Sequence, residues 1–154
     1  MNTLVLGLGN ILLGDDGIGI HVIRSLQQNH PDLQDVTLID GGTLSFTLAE
    51  FIEAADNLII IDAAQLKREP GTIALFEGQA MDQFVSANRN KSVHEVNIND
   101  ILALAHLTGS LPERRALIGV QPQLIDWSDF PSDEVNQAIP GACAMTLELV
   151  KQWR

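Results

Sequence analysis

The sequence predicts an α/β fold: a three-layer sandwich with a five-stranded, mainly parallel twisted sheet, helices on both faces and one antiparallel edge strand. Three observations predict it. Short β-rich runs alternate with stretches of helical apolar periodicity, the pattern of a βαβαβ core. The run Leu58-Ile59-Ile60-Ile61 is apolar at every position, as a central strand covered on both faces must be. The link after it, Ala63–Gly71, contains Pro70-Gly71 and is short for a parallel crossover, so the fourth strand is read as an antiparallel edge.

The strands are placed at Leu4–Gly7, Val36–Asp40, Leu58–Asp62, Thr72–Glu77 and Ala116–Gln121. A first helix, Ile18–Gln28, sets Ile18, Val22, Ile23 and Leu26 on one stripe. Leu44–Ala55 does the same with Leu44, Leu48, Phe51 and Ile52, and Asn99–Leu107 with Ile101, Leu102, Leu104 and Ala105. The last helical stretch, Asp133–Trp153, carries Val135, Ile139, Met145, Leu149 and Val150, and Pro140-Gly141 is predicted to break or kink it near its middle. Ser86–Ser92 is polar throughout and reads as a mobile loop.

A chain of 154 residues suits one domain with one core, taken as residues 1–154. The formal charge of −11 and pI near 4.5 argue against nucleic acid, which needs a basic footprint, and against an anionic membrane surface. No apolar run approaches the ~18 residues that span a bilayer. Met1-Asn2-Thr3 leads straight into a strand without a basic segment, so no signal peptide is expected. The single Cys143 rules out an internal disulfide and Cys-based zinc patterns, and it fits a reducing cytoplasm. It is read as a buried, inert thiol.

Chemistry concentrates where strands end. In open α/β sheets ligands bind outside the carboxyl ends of the strands, near the topological switch point. The first strand runs into Gly7-Leu8-Gly9-Asn10-Ile11-Leu12-Leu13-Gly14-Asp15-Asp16-Gly17, the second ends in Asp40-Gly41-Gly42-Thr43, and the third in Asp62-Ala63. A carboxylate ending an apolar strand is costly to desolvate without a partner or a metal. His94 follows the polar loop and precedes the Asn99–Leu107 helix. Carboxylate oxygens with one imidazole nitrogen suit a divalent transition metal with open positions. Plainer roles compete. Asp15 or Asp16 can cap the helix that starts near Gly17, Asp40 can fix the Gly41-Gly42 turn, and His94 alone can be a surface or capping residue. Asp62 has the weakest plain reading. His21, His30 and His106 read as solvated or structural.

A dinucleotide is the other ligand class to weigh. Gly7-x-Gly9 matches half of the Rossmann fingerprint, and Asp40 is placed to meet a ribose. The third glycine position is Leu12, however, and Asp15-Asp16 would repel a pyrophosphate. No nucleotide cofactor is expected.

The ordered set Gly7-Leu8-Gly9-Asn10, Gly14-Asp15-Asp16-Gly17, Asp40-Gly41-Gly42-Thr43, Leu58-Ile59-Ile60-Ile61-Asp62-Ala63, Pro70-Gly71, His94 and Gly119-Val120-Gln121-Pro122 resembles the hydrogenase maturation endopeptidases, from Leu4 to about Val150. The resemblance implies a helix-flanked α/β sheet and removal of a short C-terminal extension from the large-subunit precursor of a nickel–iron hydrogenase after nickel insertion. It maps the metal-contacting residues onto Asp16, Asp62 and His94, with nickel supplied by the substrate. Asp16 and Asp62 are then also the candidates for catalysis, as ligand or as general base. Asp15 is left as the helix cap, and Asp40, Gly41, Gly42 and Thr43 are expected to shape the substrate channel or hold a supporting hydrogen bond. The enzyme is expected to be a cytoplasmic monomer. The alternative from another class is a metal-dependent chaperone that binds the precursor without cutting it. Ser86–Ser92 and Gln123–Pro131 are candidate partner surfaces, although ordinary packing is the expected role of Trp127 and Phe130.

Overall fold

The computed structural model describes residues 1–42, 47–88 and 98–154. Thr43, His94, the start of the Leu44–Ala55 stretch and most of the Ser86–Ser92 loop lie outside them. The described strands are β1 (Thr3–Gly7), β2 (Val36–Asp40), β3 (Asn57–Ala63), β4 (Ile73–Glu77) and β5 (Arg114–Val120). They form one sheet in the order β2-β1-β3-β5-β4. All neighbours are parallel except β4, which pairs antiparallel with β5 at the edge. The short Pro-Gly link therefore does what its length predicted.

Alternation along the central strands sorts the core into two layers. Val5, Ile59, Ile61, Ile118 and Val120 pack against α1 (Ile18–Asn29) and α6 (Ile139–Gln152). Leu4, Leu6, Leu58, Ile60 and Leu117 pack against α2 (Thr47–Ala54), α3 (Gln79–Ala87) and α4 (Ile98–Leu107). Every residue from Leu58 to Ile61 is fully buried, which is why that strand needs no polar face. Among the described residues no helix is long and apolar enough to cross a membrane.

Three helical readings are corrected. The α3 helix was not foreseen; it buries only Met81 and Val85, and it takes Ser86 and Ala87 out of the expected loop. The Asp133–Trp153 stretch is interrupted earlier than Pro140, with α5 spanning Asp133–Asn136 and α6 starting at Ile139. Proline sits in the first turn of α6, where its missing N–H has no intrahelical partner to lose. It starts that helix rather than kinking one. Cys143 is buried in α6, and burial pushes its thiol pKa up, as an inert core residue requires.

The strand order puts the switch point between β1 and β3, because β2 and β3 leave β1 on opposite sides. Two glycines let α1 approach this point closely. A Cβ on Gly19 would lie 2.1 Å from the Ile61 carbonyl oxygen, and one on Gly7 would lie 2.4 Å from that of Gly19. This strand–helix contact replaces the one that the third Rossmann glycine would make.

Candidate active site

The loop after β1 turns back on itself before α1 begins. Gly9 has φ +123°, and a Cβ there would meet the Asp16 carbonyl oxygen at 1.9 Å. Only glycine allows that approach. Gly14–Gly17 then forms a 3-10 turn whose four residues are all buried, and it packs against β3. This turn brings Asp16 to the carboxyl end of β3, where Asp62 lies.

Asp16 is 3% exposed and Asp62 6%, so both carboxylates are withdrawn from bulk water. Asp16 Oδ2 accepts a 2.9 Å hydrogen bond from the Asn10 backbone N–H, while Asn10 Oδ1 accepts from the Leu12 N–H. The same asparagine thus orders the turn and supports the acid. Asp62 Oδ1 accepts from the Ala63 N–H at 2.8 Å. By strand alternation Asp62 continues the Leu58/Ile60 side of β3, the side covered by α2, α3 and α4. Only residues 108–113 separate α4 from β5, so α4 ends near the amino end of β5 and begins toward the carboxyl edge of the sheet. Among the described residues no three His, Cys, Asp or Glu side chains are grouped to hold a metal. The structure brings Asp16 and Asp62 to one edge; His94 is outside the described residues.

Asp15 has a different role from the one expected. No side chain caps α1, whose N-cap is Gly17. Instead Asp15 reaches across to the segment after β5. Its Oδ2 accepts from the backbone N–H groups of Gln123 (2.8 Å) and Leu124 (3.0 Å) and from the Ser132 hydroxyl (2.8 Å), and its Oδ1 accepts from the Ser132 N–H (2.6 Å). Burial alone would raise this carboxyl's pKa, but the bonds from Leu124, Ser132 and Gln123 outweigh it and the pKa is lowered. Backbone bonds extend the contact: Gly14 N–H donates to the Ser128 carbonyl at 3.0 Å, and Ser128 N–H donates to that of Leu12 at 2.9 Å. Local spacing could not show this, since the partners of Asp15 lie 108 to 117 residues away.

Gln121, which follows β5, was also missed as a structural residue. It is 6% exposed, its Oε1 accepts from the Leu66 N–H, and its Nε2 donates to Gln65 Oε1 and to the Pro122 carbonyl. Its backbone bonds Gly71 and Thr72, so one residue fastens both ends of the link between β3 and β4.

Asp40 takes the plainer of its two readings. It is exposed, its Oδ1 accepts from the Gly42 N–H at 3.0 Å, and its Oδ2 lies 3.8 Å from Arg24 Nη2. It ends β2, opposite Gly7 of β1, with β3 on the far side of β1. Two strand spacings separate it from β3, roughly 10 Å. Asp40, Gly41 and Gly42 therefore flank the Asp16–Asp62 edge; Thr43 lies beyond the described residues.

Comparison with known proteins identifies the family. The family model described as hydrogenase maturation protease matches residues 20–149. The chain is 34% identical over 151 residues to the hydrogenase expression/formation protein HupD of Rhizobium leguminosarum bv. viciae, covering 97% of this chain and 74% of HupD. It is 34% identical over 128 residues to the hydrogenase 2 maturation protease of Escherichia coli K12, covering 82% of this chain and 76% of the relative. The structure of the hydrogenase maturating endopeptidase HybD from E. coli superposes with a TM-score of 0.88 at 29% identity, over 99% of this chain and 93% of HybD. Shared sequence and fold place the chain in the hydrogenase maturation protease family, and it is an endopeptidase.

Proposed function

We propose that this endopeptidase removes a short C-terminal extension from the nickel-loaded large-subunit precursor of a nickel–iron hydrogenase, acting as a monomer in the cytoplasm, and that the substrate's own nickel is what it recognises. The observation that carries this reading is the pair of buried carboxyl groups, Asp16 and Asp62, held at the carboxyl edge beside the switch point. Carboxylate oxygens are good ligands for a divalent ion, so a cation suits such an edge. Two carboxylates with the imidazole of His94 suit a borderline divalent ion that keeps open positions. Nickel bound to the precursor then docks the scissile bond here, and cleavage waits for metal insertion because the metal supplies part of the binding energy. Amide hydrolysis needs a polarised carbonyl and an activated water; bound nickel would supply Lewis acidity toward the carbonyl or the water, and Asp16 or Asp62 is the alternative general base. The exposed Asp40 and the half-buried Gly41-Gly42 turn border the path of the peptide tail.

The family's proteolytic activity makes the chain a peptidase rather than a binding-only chaperone, and no observation favours the latter. Mass spectrometry of the precursor before and after incubation tests the nickel reading. The expected result is loss of the C-terminal fragment from nickel-loaded precursor and no change in nickel-free precursor. Equal cleavage of both forms would remove nickel as the recognition element.

A further inference from the structure

The segment after β5 exposes apolar side chains that the fold leaves uncovered. Trp127 is 77% exposed, Phe130 76% and Leu124 62%, and Leu12 of the site loop, bonded through its carbonyl to Ser128, is 50% exposed. Packing was the expected role of Trp127 and Phe130, and their exposure overturns it. Leu124, Trp127 and Phe130 line one open concavity of about 560 Å³ whose floor includes Gly14 and Asp15. A solvent-facing cluster of large apolar groups costs hydration free energy in the free protein and marks a contact surface. This one is also rigidly held. Four hydrogen bonds to Asp15 and two backbone bonds at Ser128 tie it to the turn that carries Asp16.

Its charge identifies the partner. Asp126, Asp129, Asp133 and Glu134 are exposed around it, and no Lys or Arg occurs between Arg115 and Lys151. An apolar patch whose own segment carries acidic and no basic side chains complements an apolar surface flanked by basic side chains, and it disfavours a second copy of this acidic chain. We propose that the Leu124–Phe130 platform docks the folded body of the precursor, at an apolar surface bordered by Lys or Arg, while Asp16 and Asp62 receive the nickel and the peptide tail. This rests on the proposed function for the identity of the partner. The platform is a specificity element separate from the metal contact, so it engages the precursor whether or not nickel is present.

The test pairs binding with processing. Interferometry measures the affinity of nickel-free precursor for wild-type enzyme and for the Trp127→Ser/Phe130→Ser variant, and mass spectrometry follows any cleavage in the same samples. Steady-state processing of nickel-loaded precursor supplies KM and kcat. The expected result is affinity weakened ~ten-fold or more and a KM raised to match, with kcat unchanged, because two central aromatic anchors are lost. An Asp129→Lys variant is expected to weaken binding further at low salt than at high salt. Unchanged affinity and KM in the double variant would overturn the proposal. So would sedimentation showing a wild-type dimer that the double variant dissolves, since the platform would then belong to a second copy. Cleavage of nickel-free precursor would sink the nickel reading and leave the docking comparison intact.

Discussion

The loop after β1 and the segment after β5 touch each other along their length, yet they treat their side chains in opposite ways. The first buries its acids: Asp15 is 1% exposed and Asp16 3%. The second exposes its aromatics. A globular chain ordinarily does the reverse, and each inversion is costly unless a partner offsets it. Asp15 is offset from within, by four donors of the facing segment. Trp127 and Phe130 have no such internal partner. The two segments are complementary, one burying carboxylates and the other exposing aromatic side chains, and Asp15 is the rivet between them.

The largest expected effect lies on the buried side. Asp16→Asn and Asp62→Asn keep the shape of the acid and remove its charge, and should leave the fold intact while lowering processing of nickel-loaded precursor by at least about a hundred-fold. His94→Ala is expected to do the same. Retained processing in all three, with normal circular dichroism, would remove the role proposed for these residues.

Gly9→Ala should come next. A methyl group driven against the Asp16 carbonyl, at a φ that L-residues avoid, is expected to cost about 2–3 kcal/mol in urea unfolding. An unchanged midpoint would mean that the turn relaxes freely and that Asp16 is not held by it.

Asp15→Asn probes the rivet. The amide offers one acceptor where two oxygens took four bonds, and it faces donors with a donor, so about 1–3 kcal/mol of stability should be lost. The pH dependence has a definite sign. Because the folded pKa is lowered, Asp15 contributes stability above the unfolded carboxyl value near 3.8 and loses it as pH falls through the folded value. Wild type should therefore shed more stability on acidification than Asp15→Asn does. Parallel pH profiles for the two proteins would show that the rivet carries no charge-dependent stability.

The smallest effect is expected on the exposed side. Trp127→Ser should change the unfolding free energy by no more than about 0.5 kcal/mol, because the side chain is 77% in solvent. A loss several times larger would restore the packing role that the sequence suggested for this tryptophan.

Much of the frame is written in local chemistry. The buried run Leu58–Ile61 names the central strand, the Pro70-Gly71 link names the antiparallel edge, and Asp62 at a strand end with Asp16 in the loop after another marks a candidate site, because each is a property of a few neighbouring residues. Helix α3 escaped although it is as amphipathic as α1, because it is only nine residues long, follows β4 after a single residue and buries only Met81 and Val85.

What only the tertiary structure decided is where side chains go once distant segments meet. Asp15 and Asp16 are chemically alike and adjacent, and nothing in their spacing tells a rivet from a site acid. Strand order tells them apart, since it sets β5 beside β3 and delivers Gln123, Leu124 and Ser132 to the first while leaving the second at the switch point. The exposure of Trp127 and Phe130 was equally invisible in sequence, because burial depends on which elements fold over a residue and not on its own hydrophobicity.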